Sequence, residues 1–296
     1  MASEQTVWLD GKLVPLAQAT VNVYDHGLLY GDGVFEGIRI YNHRILKLRT
    51  HLLRLYDSAR SIMLTIRQTL DEMDAAVRET VKANGLRDGY IRLVITRGVG
   101  SLGVNPLACK HSSTIVIADK IQLYPQEKYE RGITMITAST QQKHPACSGP
   151  QVKSLNYLPN MMAKLEAMNA GADEALVLNH LGMVAECVGE NVFVVKDRGK
   201  SNPLVRTPPV WAGLLEGVTR AMAIEILRGQ GHAVAEDNFT RHDLYIADEI
   251  FLTGTGAEVV PVVKYDGRTI GSGEPGPVTR KLIAEYRRIA EHAPED

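Results

Sequence analysis

The chain has 296 residues, with 33 lysines and arginines against 34 aspartates and glutamates, a net charge of −1. Hydrophobic residues make up 45% and charged residues 23%, the balance of a globular protein with a real core and not of a disordered, collagenous or coiled-coil chain. The length suits about two domains, and the lack of a basic excess speaks against a nucleic-acid or anionic-membrane surface.

No stretch approaches the ~20 apolar residues of a membrane span. The start, Met1 to Gln5, carries neither the basic nor the apolar region of a signal peptide. Three scattered cysteines, Cys109, Cys147 and Cys187, form no metal or redox spacing, so reduced thiols and a cytoplasmic location are expected.

In chain order, Val7 to Val14 reads as a hairpin around Asp10-Gly11, a dipeptide that tolerates the positive φ of a type I′ turn. Val34–Tyr41 and Arg44–Leu48 repeat the idea around Asn42-His43. Apolar residues at helical spacing predict a helix over Arg49–Met63, and another runs from Asp71 to Asn84 and stops at Gly85. Strands follow at Tyr90–Thr96 and Ser113–Ala118.

The polar, weakly periodic stretch 120–132 reads as a linker between an N-terminal small domain, 1–119, and a larger C-terminal domain, 133–296. After it come a strand at Ile133–Ala138, a helix at Leu158–Ala170, and strands at Glu174–Leu178, Met183–Glu186 and Val192–Lys196. A helix at Gly217–Arg228, strands near Val234 and at Glu249–Thr253 and Val259–Tyr265, and a helix at Pro277–Ala290 complete the chain. Hairpin-like pairs mixed with helices favour α+β over a doubly wound parallel sheet.

Three glycine-rich sites carry chemistry of interest. Gly27 to Gly33 lacks the residues of a phosphate-binding P-loop or a dinucleotide fingerprint and reads first as a tight turn. Gly217-Val218-Thr219 opens a helix, where free N–H groups attract anions, although a threonine there also serves as a cap. Thr253-Gly254-Thr255-Gly256-Ala257 follows an apolar strand and lets backbone amides approach an anion, or makes a plain turn.

Lys153, between Val152 and Leu155, is either a surface charge or an amine nucleophile made reactive by burial. Arg54 is an ion-pair partner or an anion ligand, and Glu186 faces solvent or a site from its apolar strand. The histidines have no metal-ligand spacing, so no metal is expected.

Taken in order, these segments resemble the class IV (fold-type IV) pyridoxal-phosphate aminotransferases, and within them the branched-chain amino-acid group. The likeness runs through Tyr30–Arg39, His51–Leu55, Lys153–Tyr157, Glu186–Phe193, Gly217–Arg220 and Phe251–Glu258. It implies a two-domain architecture like that of D-amino-acid aminotransferase, with pyridoxal 5'-phosphate as cofactor.

By this resemblance Lys153 holds the cofactor covalently and moves the substrate proton, Glu186 partners the pyridine nitrogen, and Tyr157 meets the phenolic oxygen. Arg54, Val218, Thr219 and Thr255 grip the phosphate. The substrate α-carboxylate is expected at Thr255, Gly256 and Ala257 with Tyr90 nearby. Tyr30, Phe35 and Tyr124 form pocket walls, and Arg92, with Arg39, pairs with a γ-carboxylate; the alternative for Arg92 is a plain strand-face charge.

The expected partners are amino acids and 2-oxo acids, and a second copy of the chain, because Gly100–Pro106 resembles a loop that reaches a neighbouring subunit. Cys187 and Gly256 stand where glycine and alanine are frequent, which leaves room for an altered substrate range. The expected activity is transfer of the amino group from leucine, isoleucine or valine to 2-oxoglutarate. Its rivals are a D-amino-acid aminotransferase or aminodeoxychorismate lyase of the same fold, and a non-catalytic phosphate-ligand binder.

Overall fold

Asp10 and Gly11 both take positive φ, 48° and 106°, and β1 (Thr6–Leu9) folds back on β2 (Lys12–Pro15) across them in antiparallel register. This is the backbone a type I′ hairpin needs. The computed structural model describes residues 5–197 and 203–292; Met1–Glu4, on which the signal-peptide reading largely falls, lie outside them. Residues up to Ile121 join Val152–Asn156 in one unit, and Gln122–Gln151 join Tyr157–His292 in the other.

In the first unit the glycine-rich run expected as a turn contains α1 (His26–Tyr30) instead. The Asp25 carboxylate caps it by accepting the Gly27 N–H at 2.7 Å, and Gly31 ends it at φ 68°. Then follow β3 (Gly33–Tyr41), β4 (Arg44–Ile45), α2 (Leu48–Ser61), α3 (Leu70–Ala83), β5 (Gly89–Thr96) and β6 (Ser113–Asp119). A capping box between Thr69 and Glu72 fixes the start of α3. The strands form an antiparallel sheet in the order β2-β1-β6-β5-β3-β4.

Side chains alternate across a strand, and here the two faces differ in kind. Val34, Ile38 and Ile40 of β3 and Ile91, Leu93 and Ile95 of β5 pack with Leu48, Leu52 and Leu55 of α2 and Met73 and Val77 of α3. Each such buried side chain contributes roughly 1.5–3 kcal/mol relative to exposure. The opposite parity of β3 and β5 carries Phe35, Gly37 and Arg39 beside Val94, Arg92 and Tyr90. The five-residue segment Val152–Asn156 adds to the free edge of β3: Phe35 N–H donates to the Lys153 carbonyl at 3.0 Å, and Leu155 N–H to the Gly33 carbonyl at 2.9 Å.

The second unit holds α4 (Gln126–Arg131), β7 (Ile133–Thr137), α5 (Pro145–Ser148), α6 (Leu158–Asn169), β8 (Glu174–Leu178), β9 (Val184–Cys187) and β10 (Asn191–Lys196). It continues with β11 (Leu204–Thr207), α7 (Val218–Gly229), β12 (Ala233–Glu236), α8 (Arg241–Tyr245), β13 (Glu249–Gly254), β14 (Glu258–Tyr265), β15 (Arg268–Thr269) and α9 (Pro277–His292). Among the described residues the sheet runs β12-β11-β10-β13-β14-β7-β8-β9, with β15 on β14. The pairs β7–β14, β7–β8 and β11–β12 are parallel, and the others are antiparallel. The architecture is α+β.

Within the stretch expected as a linker, Gln126–Arg131 is helical, supported by an Arg131–Glu127 pair at 3.1 Å. Tyr124 just before it packs in a core with Ile133, Met135, Leu176 and Val192. Among the described residues no helix is long and apolar enough to cross a membrane.

Candidate functional site

In the first unit Glu36 breaks the apolar parity of β3, and three donors on α2 compensate. Arg54 Nε lies 2.7 Å from Glu36 Oε1, Arg54 Nη2 2.8 Å from Oε2, and His51 Nδ1 2.8 Å from Oε2. Burial works to raise the Glu36 pKa, but the Arg54 charge and the His51 and Arg54 hydrogen bonds hold it well below the usual carboxylate range. Burial lowers the His51 pKa against the pull of Glu36, so a neutral imidazole donates through Nδ1 at pH 7. Arg54, expected as an anion ligand, thus commits the Nε/Nη2 edge of its guanidinium to Glu36.

Lys153 is pinned through its backbone at the edge of β3, and its N–H also meets Ser58 Oγ of α2 at 3.2 Å. Its amine stands 4.6 Å from the centre of the Phe35 ring. Arg92 lies over the same ring at 4.6 Å and over Tyr90 at 5.4 Å, while Arg39 lies over Tyr41 at 5.0 Å. One sheet face therefore presents Lys153, Phe35, Arg92 and Tyr90 together: two cations on aromatic rings, suited to an anionic, partly apolar molecule. The Tyr90 hydroxyl sits over Gly37, where a Cβ would collide with it. Tyr30, at the end of α1, accepts the Gly103 N–H at its hydroxyl, 2.8 Å.

In the second unit every residue of β9 is buried, so Glu186 does not face solvent. Gln142 Nε2 donates to its Oε1 at 2.6 Å, and the Leu215 N–H to its Oε2 at 2.9 Å. Asn191 Nδ2 holds the Leu215 carbonyl at 2.9 Å. The loop that leads into α7 is therefore tied to Glu186 on one side and to β10 on the other. Helix α7 starts at Val218 and Thr219 behind Gly217, and no side chain caps it. A Cβ on Gly217 would run into Asn191 Oδ1, so the approach requires glycine. Thr255, Gly256 and Ala257 form the turn between β13 and β14. Tyr157, ahead of α6, has Lys143 Nζ 5.8 Å from its ring centre.

Tyr124, expected as a pocket wall, stands just ahead of α4. It is 8% exposed, and its hydroxyl donates to Glu174 Oε2 at 3.3 Å, an oxygen that Lys164 Nζ also meets at 2.9 Å. Burial and nearby acids push that phenol upward, so it stays a neutral core donor. Close by, Glu190 is raised to about 8 by burial and by the charge of Glu174.

The sequence motifs hold Glu36, His51, Glu190 and Asn191 only as letters, and Gln142 lies outside all of them. For Glu36 a signal exists: an acid at the core-facing parity of β3 demands a buried partner, and His51 and Arg54 stand three apart on the next helix. For Gln142 there is none, since it lies between elements.

The class IV aminotransferase ("Amino-transferase class IV") profile matches residues 33–265, the span that takes in the Glu36 network, Lys153, Glu186 and the start of α7. The chain belongs to the class IV aminotransferase family. A branched-chain-amino-acid aminotransferase of Pseudomonas aeruginosa is 39% identical over 285 residues, covering 95% of this chain and 91% of that protein. The crystal structure of the Escherichia coli branched-chain amino acid aminotransferase superposes with a TM-score of 0.94 at 34% identity, covering 99% of this chain and 97% of the other. The branched-chain amino acid aminotransferase from Thermobaculum terrenum, in its PLP-bound holo form, gives 0.88 at 30% identity, covering 98% and 95%. In this class IV aminotransferase the segments carrying Lys153, Glu186 and Gly217–Thr219 thus lie inside a likeness that spans nearly the whole chain.

Proposed function

We propose that this class IV aminotransferase is a branched-chain amino-acid aminotransferase, which passes the amino group of L-leucine, L-isoleucine or L-valine to 2-oxoglutarate in two half-reactions. The observation that carries the reading is likeness over nearly the full length, in sequence and in fold, to proteins bearing that name. The enzyme depends on pyridoxal 5'-phosphate.

The residues present fit that group. The uncapped first turn of α7 offers N–H donors behind a glycine that cannot be enlarged, as a phosphate requires. Glu186 offers a buried carboxylate for a protonated ring nitrogen. When bound, the cofactor supplies an aldehyde for the amine and a ring that takes up electron density from the substrate Cα.

In this reading Lys153 holds the cofactor and then takes and returns the proton at the substrate Cα. Glu186 keeps the ring nitrogen protonated, and Tyr157 donates to the phenolic oxygen. Arg54, Val218, Thr219 and Thr255 hold the phosphate. The amides of Gly256 and Ala257, with Tyr90, orient the α-carboxylate. Phe35, Tyr30 and Tyr124 line the aliphatic side, while Arg92, together with Arg39, receives the γ-carboxylate of glutamate. The stacking of Arg92 on Phe35 supports a pocket that accepts both an aliphatic chain and a carboxylate.

A homodimer is the minimum assembly in this reading. Its support is the apolar exposure of the 99–107 loop, where Leu102, Val104 and Leu107 are 70%, 84% and 85% exposed, more than a monomer ordinarily leaves bare in one place. A cytoplasmic location accords with three cysteines that form no disulfide among the described residues.

The test is the visible spectrum of the purified protein with cofactor, before and after L-leucine, in the wild type and in Lys153→Ala. The wild type should show a band that L-leucine bleaches, and Lys153→Ala should lack it. No band under cofactor excess would favour a binding protein. Bleaching by D-alanine alone would overturn the substrate assignment.

A further inference from the structure

A carboxylate buried in a strand needs donors on both oxygens, and Glu186 obtains one of them from outside every recognised motif. The Leu215 N–H serves Oε2, and the side chain of Gln142 serves Oε1. Gln142 belongs to the irregular segment between β7 and α5, yet it is held firmly. Its own N–H donates to the Leu178 carbonyl at 2.9 Å. Its side-chain oxygen accepts the Lys143 N–H at 2.9 Å, which orients the amide so that the NH2 group faces the carboxylate. Its Cγ lies 3.6 Å from where a Cβ on Gly213 would stand, an ordinary packing distance against the loop that leads to Leu215. Lys143, the next residue, places its ammonium over the Tyr157 ring.

We infer that Gln142 is a positioning residue of the reaction: its amide aims the Glu186 carboxylate and keeps it the weaker base of the pair it makes with the cofactor's ring nitrogen, so that the shared proton stays on the nitrogen. The inference rests on the reading of Glu186 as that nitrogen's partner. A hydrogen bond donated to the ionised form of an acid lowers its proton affinity. Withdrawing the Gln142 donor therefore makes Glu186 more basic and draws the proton off the ring. One charge-assisted bond corresponds to about a tenfold change in how the proton is shared.

The experiment uses the holoenzyme loaded with cofactor labelled with 15N in the ring, and reads the ring-nitrogen shift at neutral pH in the wild type, Gln142→Met, Gln142→Asn and Glu186→Gln. Methionine keeps the stem without the donor, and asparagine withdraws the donor by one methylene. The wild type should give a protonated-ring shift. Gln142→Met should move it toward the neutral-ring position, with Gln142→Asn in between, and thermal melting of the cofactor-free proteins should stay near wild type. If Gln142→Met fails to fold, Gln142→Asn still decides. Gln142 variants that lose thermal stability while keeping the wild-type shift would make Gln142 merely structural and overturn the inference. If Glu186→Gln itself leaves the shift unchanged, it is the Glu186 reading that fails. If Glu186→Gln moves the shift and neither Gln142 variant does, only the Gln142 inference fails.

Discussion

Glu36 and Arg54 meet at two points, Nε to Oε1 at 2.7 Å and Nη2 to Oε2 at 2.8 Å, with the carboxylate fully buried. This two-pronged pair joins β3 of the first sheet to the helix that covers it. Breaking one partner of a buried pair leaves a charge without compensation, at about 3–5 kcal/mol. Glu36→Gln should lose that much in denaturant unfolding, and the double variant Glu36→Gln with Arg54→Met should lose less than the two single losses added together.

The same pair sets an acid limit. The folded-state pKa of Glu36 lies below its ordinary value of 4.5, so the stability it contributes is complete above that value and drains away as pH falls toward the folded one. Unfolding free energy measured from pH 6 down to pH 2 should fall more steeply for the wild type than for Glu36→Gln. Parallel curves would show that other groups govern acid unfolding.

Glu190 works in the opposite sense. Burial and the Glu174 charge raise its pKa to about 8, so its contribution is complete below the unfolded value and is lost as pH rises through about 8. Glu190→Gln, which needs no proton to stay neutral, should melt close to wild type at pH 5 and above it, by a growing margin, toward pH 9. A variant that tracks the wild type at both pH values would mean that Glu190 is ionised throughout.

Arg92 and Phe35 share a sheet face, one as a cation and the other as the ring beneath it. Arg92→Ala should lower kcat/KM for glutamate and 2-oxoglutarate on the order of 10- to 100-fold while changing leucine by only a few-fold, because leucine has no γ-carboxylate. Steady-state kinetics with both donors checks this, and equal losses would make Arg92 structural.

Gly37 gives the Tyr90 hydroxyl its place. An alanine there suits a strand backbone but must push the ring aside. Gly37→Ala should therefore keep the thermal midpoint within a few degrees of wild type and raise KM for every amino acid, since all share the α-carboxylate. A KM that stays at the wild-type value would place Tyr90 away from the substrate.

Long periodic segments are legible from residues alone: α2, α3, α6, α7 and α9 lie within a few residues of their expected bounds, because an amphipathic face is written into each. Short elements such as α1, β11 and α8 are not, since five residues or fewer show no period. The parallel pairings of β7 with β8 and β14 join strands far apart in the chain, and spacing does not carry that information. By alternation Glu186 looks solvent-facing, yet β9 is covered on both faces, where alternation ceases to report exposure. The partners of Glu186 and Glu36 come only from geometry, because a hydrogen bond between an irregular segment and a strand has no sequence spacing.

The five residues Val152–Asn156 complete the border of a sheet whose other strands end by Asp119. A fragment made of residues 1–121 would therefore lack its own last row of hydrogen bonds. The Phe35 N–H and the Gly33 carbonyl would stand bare on an exposed strand, which invites other chains to stack there. Such a fragment should precipitate or self-associate unless a peptide spanning residues 152–156 is added, and that peptide should rescue its solubility by docking as the missing ribbon.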